Sequence, residues 1–196
     1  RMGPNVEARL IRHGFYPHGG GRIEVDITPA PLQRMDCQDR GAFVGSSAIA
    51  MIAGLPAEIA EREIAIARKL LDWPESAFAT HQLPEEQGPG NIVLLTAQFG
   101  NVTEIVSGFG KIGVSAEQVV KKAAARMTGY LESDAFAGPY LADQLLLPFA
   151  LAGGGSFTTV KPSQHSLTAA DIIERFTGRR CEFIQLASGA HRMSFA

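Results

Sequence analysis

Residues 138–168 read GPYLADQLLLPFALAGGGSFTTVKPSQHSLT, and the rest of the chain is best understood outward from them. Tyr140 and Asp143 stand one helical turn apart at the start of an apolar helix that runs to about Ala152. The triple glycine 153–155 then makes a tight turn into a Thr/Val strand, Ser156–Val160. The loop Lys161–His165 sets His165 just before a helix over Leu167–Thr177. A polar helix start and a histidine on a Pro-Ser loop are thus joined by one turn, which has the look of a site.

Downstream, Cys181–Ala187 and His191–Phe195 read as strands. Upstream, Ser115 caps a helix to about Leu131, with Val120, Ala124, Met127 and Leu131 on one face. Asn91–Phe99 and Thr103–Gly108 form a hairpin, and 84–90, PEEQGPG, a loop. Pro56–Asp72 is an amphipathic helix with the stripe Ala60, Ile64, Ala67, Leu71, ended by Pro74. Residues 41–53 read as a buried strand. Segment 41–131 therefore has its own helices, strands and core, and reads as a small α/β domain.

At the N-terminal end, Pro4–Arg12 reads as a short helix: Pro4 suits a first helical position, Val6 and Leu10 share a face, and Gly14 suits the end. Phe15–Gly21 is a turn, and Arg22–Ile27 alternates as a strand with one buried face. These residues lack a sheet of their own. The simplest layout joins 1–40 and 132–196 in one unit, with 41–131 inserted through it.

Composition excludes several classes. With 45% hydrophobic and 19% charged residues in 196, the chain is globular and can bury a real core. The longest apolar run, Leu145–Ala152, is too short to cross a bilayer. No apolar leader segment is present and the two cysteines, Cys37 and Cys181, have no CxxC spacing, so a cytoplasmic protein without membrane partner is expected. A net charge of −2 gives no global field for nucleic acid, so any such contact is local. The chain begins at Arg1 rather than Met, which leads us to expect a portion of a longer protein.

Each candidate feature has two readings. The runs HGGG (18–21) and GGG (153–155) are not Walker loops, since no GK[ST] follows; they serve tight turns or close approach to a phosphate. His165 is a capping or solvated side chain, or a nucleophile helped by an adjoining helix start that holds an anion. Tyr140 and Asp143 are a packed ring and a dipole-complementing acid, or a stacking platform and a ligand- or metal-orienting carboxylate. Arg1, Arg9, Arg12, His13, His18 and Arg22 make a solvated face or a phosphate-contacting edge.

The motifs HGFYPHGGG (13–21), LPEEQGPGN (83–91), GPYLADQLLLPFALAGGGSFT (138–158) and PSQHSLT (162–168) resemble, in order and spacing, those of the RNA 3′-terminal phosphate cyclase family. The resemblance covers essentially the whole chain. It implies an α/β (α+β) fold: the last βαβαββ unit of an enolpyruvyl-transferase-like domain, interrupted by a small α/β domain. It implies ATP and a divalent cation, Mg or Mn, as cofactors and an RNA 3′ end as partner. The family's nucleophile matches His165. Its ATP-binding segment matches Tyr140, Leu141, Ala142, Asp143 and Gln144, with Tyr140 against the adenine and Asp143 near the histidine. No metal ligand is assigned within this chain.

The resemblance also implies what is missing. The family's first two units hold an acidic residue near the metal, arginines for the RNA phosphate and a further glutamine for ATP. We therefore expect the N-terminal remainder of the same enzyme as a partner, little activity without it, and a homodimer as a further assembly. Ala169-Ala170-Asp171 departs from the usual TNI-like continuation after the histidine. Two alternatives remain: a non-catalytic cyclase-like ribosome-assembly factor, against which His165 argues, and an enolpyruvyl-transferring relative, for which basic residues near His165 are sparse.

Overall fold

In the computed structural model, which describes residues 2–196, two long strands organise the middle of the chain. These are β4 (Phe43–Ala53) and β6 (Gly90–Phe99), antiparallel with Ala48 opposite Leu95. On β6 every second residue is buried: Asn91, Val93, Leu95, Ala97 and Phe99. That alternation presents one face to helices α1 (Glu58–Leu70) and α2 (Ala116–Leu131). The expected α1 stripe, Ala60, Ile64, Ala67 and Leu71, is buried there with Val120, Ala124 and Met127 of α2. β5 (Phe78–Gln82) and β7 (Thr103–Phe109) complete a sheet of order β5-β4-β6-β7. Ser115 caps α2 through a reciprocal box with Gln118.

A second sheet has the order β3-β8-β10-β9, built from β3 (Met35–Cys37), β8 (Gly155–Thr159), β9 (Cys181–Gln185) and β10 (His191–Phe195). Helices α3 (Pro139–Leu151) and α4 (Gln164–Thr177) pack on each other, and side chains from both join its core. Leu146, Phe149, Phe157, Ile173, Met193 and Phe195 fill that core, with the Phe149 and Phe157 rings edge-on at 5.2 Å. The triple glycine has a structural duty. Gly155 has φ 127°, and a Cβ there would stand 2.3 Å from the Met35 carbonyl oxygen. Only glycine lets β3 lie beside β8.

The N-terminal segment departs from expectation. Asn5–Arg12 is a strand, β1, not a helix, and it pairs antiparallel with β2 (Arg22–Thr28). The Val6–Leu10 spacing of four residues suits a helix turn, but it is also two strand periods, and Ala8 completes the alternation. The availability of β2 as a partner decides between them. The expected buried face of β2 is also absent in this chain: Ile23 is 67% and Ile27 63% exposed. The hairpin is tied to the rest through its turn. Arg12 donates to the Glu86 carbonyl at 2.6 Å, the His13 amide donates to Gln87 Oε1 at 3.1 Å, and the Phe15 ring occupies the space a side chain at Gly90 would need.

β3 and β5 escape a sequence reading. β3 is three residues long and pairs with a strand more than a hundred residues away. β5 is a short, largely polar edge strand. The loop 84–90 holds a single 3₁₀ turn, Glu85–Gln87. Among the described residues no helix is long and apolar enough to cross a membrane.

Candidate functional site

Tyr140 stands at the first turn of α3 and is 53% exposed. Its hydroxyl accepts a hydrogen bond from Arg126 Nη1 at 3.1 Å, and the guanidinium lies 5.7 Å from the ring centre. Arg126 comes from α2, so one wall of this site belongs to the segment 41–131. Glu104, Arg126, Tyr130, Pro139, Tyr140 and Lys161 line a cavity of about 300 Å³. Two cationic side chains beside an exposed aromatic face suit a phosphorylated, flat ligand.

The α3 start is anchored by Glu104 of β7, which is 3% exposed and accepts from the Gly138 amide at 3.1 Å. A Cβ on Gly138 would stand 1.9 Å from Glu104 Oε1, so the glycine makes room for the carboxylate. Burial pushes the Glu104 carboxyl above its ordinary range, and the Gly138 bond pulls it partly back. A negative group at a helix N-terminus also complements the dipole. Glu104 and Arg126 had no linear signature: both lie in a segment whose sequence speaks only of core and surface.

Of the remaining expected residues on α3, Ala142 is fully buried in the core, Leu141 packs against it, and Gln144 is exposed. Asp143 is half-buried, and its Oδ1 is buried without a hydrogen-bond partner among the described residues. An orphaned carboxylate oxygen is unfavourable unless a donor or cation completes it.

His165 does not sit on a loop before α4. It is the second residue of the helix, exposed, with Ser163 as the cap. The Ser163 hydroxyl accepts from the Ser166 amide at 3.0 Å, and the first intrahelical bond runs from the Leu167 amide to the Ser163 carbonyl. The amides of Gln164 and His165 precede that bond and belong to the helix end that attracts anions. The Pro-Ser pair therefore starts the helix at Gln164, three residues earlier than expected. The packing of α3 on α4 brings the two helices together, yet no hydrogen bond joins His165 to Tyr140 or Asp143 among the described residues.

Other expected features fall away from the site. Arg9 pairs with Asp26, Arg22 with Glu24, and Arg12 with a carbonyl, so these cations of the basic edge are engaged within the chain; Arg1 lies outside the described residues. Cys181 is buried and its thiol pushed up to about 12, which removes it as a nucleophile. Among the described residues no group of three His, Cys, Asp or Glu is placed to hold a metal ion.

The family model for RNA 3′-terminal phosphate cyclase matches residues 1–183. The chain is 46% identical over 182 residues to the RNA 3′-terminal phosphate cyclase of Pseudomonas fluorescens, covering 93% of this chain and 53% of that protein. It is 43% identical to those of Ectopseudomonas mendocina, covering 90% and 52%, and Koribacter versatilis, covering 89% and 50%. The chain thus spans about half the length of the curated relatives it matches. On this similarity, the chain belongs to the RNA 3′-terminal phosphate cyclase family.

Proposed function

We propose that this chain carries the nucleotide-handling part of an ATP-dependent enzyme that converts an RNA 3′-terminal phosphate to a 2′,3′-cyclic phosphate. The observation that carries the reading is the place of His165: an exposed imidazole in the first turn of α4, where helix amides attract anions. A neutral imidazole nitrogen attacks the α-phosphorus of ATP and pyrophosphate leaves, giving an adenylylated histidine. AMP then passes to the RNA 3′-phosphate. The vicinal 2′-hydroxyl attacks the activated phosphorus, AMP departs, and the cyclic phosphate closes. The amides of Gln164 and His165 offset the charge that builds on the phosphoryl oxygens.

Tyr140 presents its ring to the adenine, braced from behind by Arg126, and Arg126 and Lys161 offer charge to the phosphates. A divalent cation would neutralise phosphate charge during transfer; Asp143 Oδ1 fits as a single ligand, and Mg commonly uses one or two carboxylates with phosphates and waters for the rest. The other ligands would come from outside this chain.

The same proposal divides the chain into a unit of 1–40 and 132–196 and an inserted domain, 41–131. In support, among the described residues β4–β7 pair only with one another, while β3 and β8, on either side of them in sequence, are neighbours. The N-terminal remainder of the enzyme is the expected partner of the bare β1–β2 hairpin. The test is adenylylation of the complete protein with α-labelled ATP. Wild type takes up acid-labile label and His165→Ala takes up none; equal labelling of the two sinks the reading.

A further inference from the structure

A second cavity, of about 350 Å³ and sharing no lining residue with the first, is walled by Leu55, Ile59 and Val114, with Glu63 and Asn91 inside and Tyr16 at its mouth. Glu63 belongs to α1 and is 1% exposed. Its Oε2 accepts from Asn91 Nδ2 at 2.7 Å, while its Oε1 is buried with no partner among the described residues. Burial pushes this carboxyl above its ordinary range, the Asn91 bond and the Arg62 charge opposing. The pocket is built from backbone that could not carry side chains. A Cβ on Gly90 would enter the Phe15 ring at 1.9 Å, and one on Gly110 would stand 2.3 Å from Asn91 Oδ1. Tyr16 is 96% exposed, and Lys111 is exposed on the rim.

The chemistry restricts the occupant. One orphaned acceptor in an apolar chamber asks for one N–H donor on a largely apolar body. An ammonium brings three donors and would leave two unmet. A divalent cation needs several oxygens, and no such cluster exists among the described residues. A nucleobase meets the demand: apolar faces, a polar edge, and an attached phosphate for the rim cation. The exposed Tyr16 ring offers the stacking surface that single-stranded RNA readers use.

We propose that this cavity holds one unstacked, amino-bearing base of single-stranded RNA (cytosine, adenine or guanine), its amino group donating to Glu63 Oε1, Tyr16 against its face and Lys111 beside its phosphate. The RNA as substrate rests on the proposed function, but the pocket is remote in sequence from His165 and is tested separately. Uracil carries no amino group, and its N3–H is flanked by two carbonyl oxygens that the Glu63 carboxylate repels, so the comparison of end-labelled C8 and U8 oligonucleotides reads the contact. The complete wild-type protein binds C8 roughly tenfold more tightly than U8 by fluorescence anisotropy. In Glu63→Gln the new side-chain oxygen accepts from Asn91 and its amide NH2 faces the cavity, so the preference turns toward U8. Tyr16→Ser, an exposed change that leaves folding intact, weakens both oligonucleotides about tenfold and keeps the order. Photocrosslinking with 5-iodocytidine places the adduct on the Tyr16 peptide. Equal binding of C8 and U8 by wild type, an unchanged preference in Glu63→Gln, or adducts confined to other peptides overturns the proposal. A base preference intact in a protein that never adenylylates His165 overturns the cyclase reading alone; adenylylation without base preference overturns the pocket alone.

Discussion

The sheets β5-β4-β6-β7 and β3-β8-β10-β9 each bury side chains from two helices, yet they are held together differently. The first rests on strands of ten and eleven residues whose alternate side chains form a continuous apolar layer. The second is made of strands of three to five residues and relies on close backbone approach and polar pins. The Ser156 hydroxyl donates to Asp36 Oδ1 at 2.6 Å, Gln38 Nε2 donates to the same hydroxyl at 3.2 Å, and Thr158 Oγ1 donates to the Gln38 carbonyl at 3.3 Å. Tyr140 and His165 stand on the helices of this second, less self-sufficient layer. The candidate site is therefore fixed by contacts reaching across the chain rather than by a deep local core.

Core truncations break this comparison most sharply. Phe149→Ala in the second core is expected to cost about 3–5 kcal/mol and Met127→Ala in the first about 2–5 kcal/mol. Hydrogen exchange followed through urea unfolding reads where each loss falls. Met127→Ala should lower protection on β4–β7 chiefly, and Phe149→Ala on β8 and β10. If either truncation reduces protection equally across both sheets, the two layers are one cooperative unit and the distinction drawn here fails.

Legibility in the sequence follows the same division. Long alternation and an i, i+3, i+4 stripe are local signals, so β4, β6, β7, α1 and α2 could be read directly. β3 could not, because it owes its existence to Gly155 and to a partner at long range. β1 was misread because a four-residue spacing serves both periods and its partner lay downstream. At the site, Tyr140, Asp143 and His165 were legible through motifs, whereas the position of His165 inside α4 depended on Ser163 acting as the cap. Arg126, Glu104 and Glu63 were invisible: an acid in a strand and an acid in a helix stripe look like surface until burial is known, and Arg126 is an ordinary exposed helix residue until its bond to Tyr140 is seen.

Two of those acids give the comparison a pH axis. The carboxyls of Glu63, inside the first core, and Glu104, at the junction with α3, are both raised in the folded chain by burial. Near pH 4 and below, both states hold these protons and the groups contribute no difference. As pH rises above about 4.5, the unfolded chain releases them first, so unfolding liberates protons and stability falls until the folded-state values are passed. Glu63→Gln should therefore unfold at higher urea than wild type at pH 8 and match it near pH 4. Glu104→Gln should gain less, since the bond from Gly138 prefers a charged acceptor. A Glu63→Gln advantage that grows toward acid would show that the carboxylate is stabilised in place, against the burial argued here.

Helix caps supply the smallest change and the most selective one. Ser115 caps α2 and Ser163 caps α4, each accepting from the amide three residues on, at 3.3 and 3.0 Å. Replacing either by alanine should cost about 1 kcal/mol, a modest shift in the urea midpoint. Their consequences for chemistry should differ. Ser115 serves a helix whose turns already lie against a thick apolar layer, so Ser115→Ala should leave adenylylation by the complete protein near wild type. Ser163 sets the turn that carries His165, and without it the Gln164 and His165 amides lose their fixed direction. Ser163→Ala should thus lower the adenylylation rate about tenfold or more, as misplacement of reacting groups does, for the same loss of stability. Equal rates in the two variants would mean that the His165 turn is held by the packing of α3 on α4, and the second layer would then be as self-sufficient as the first.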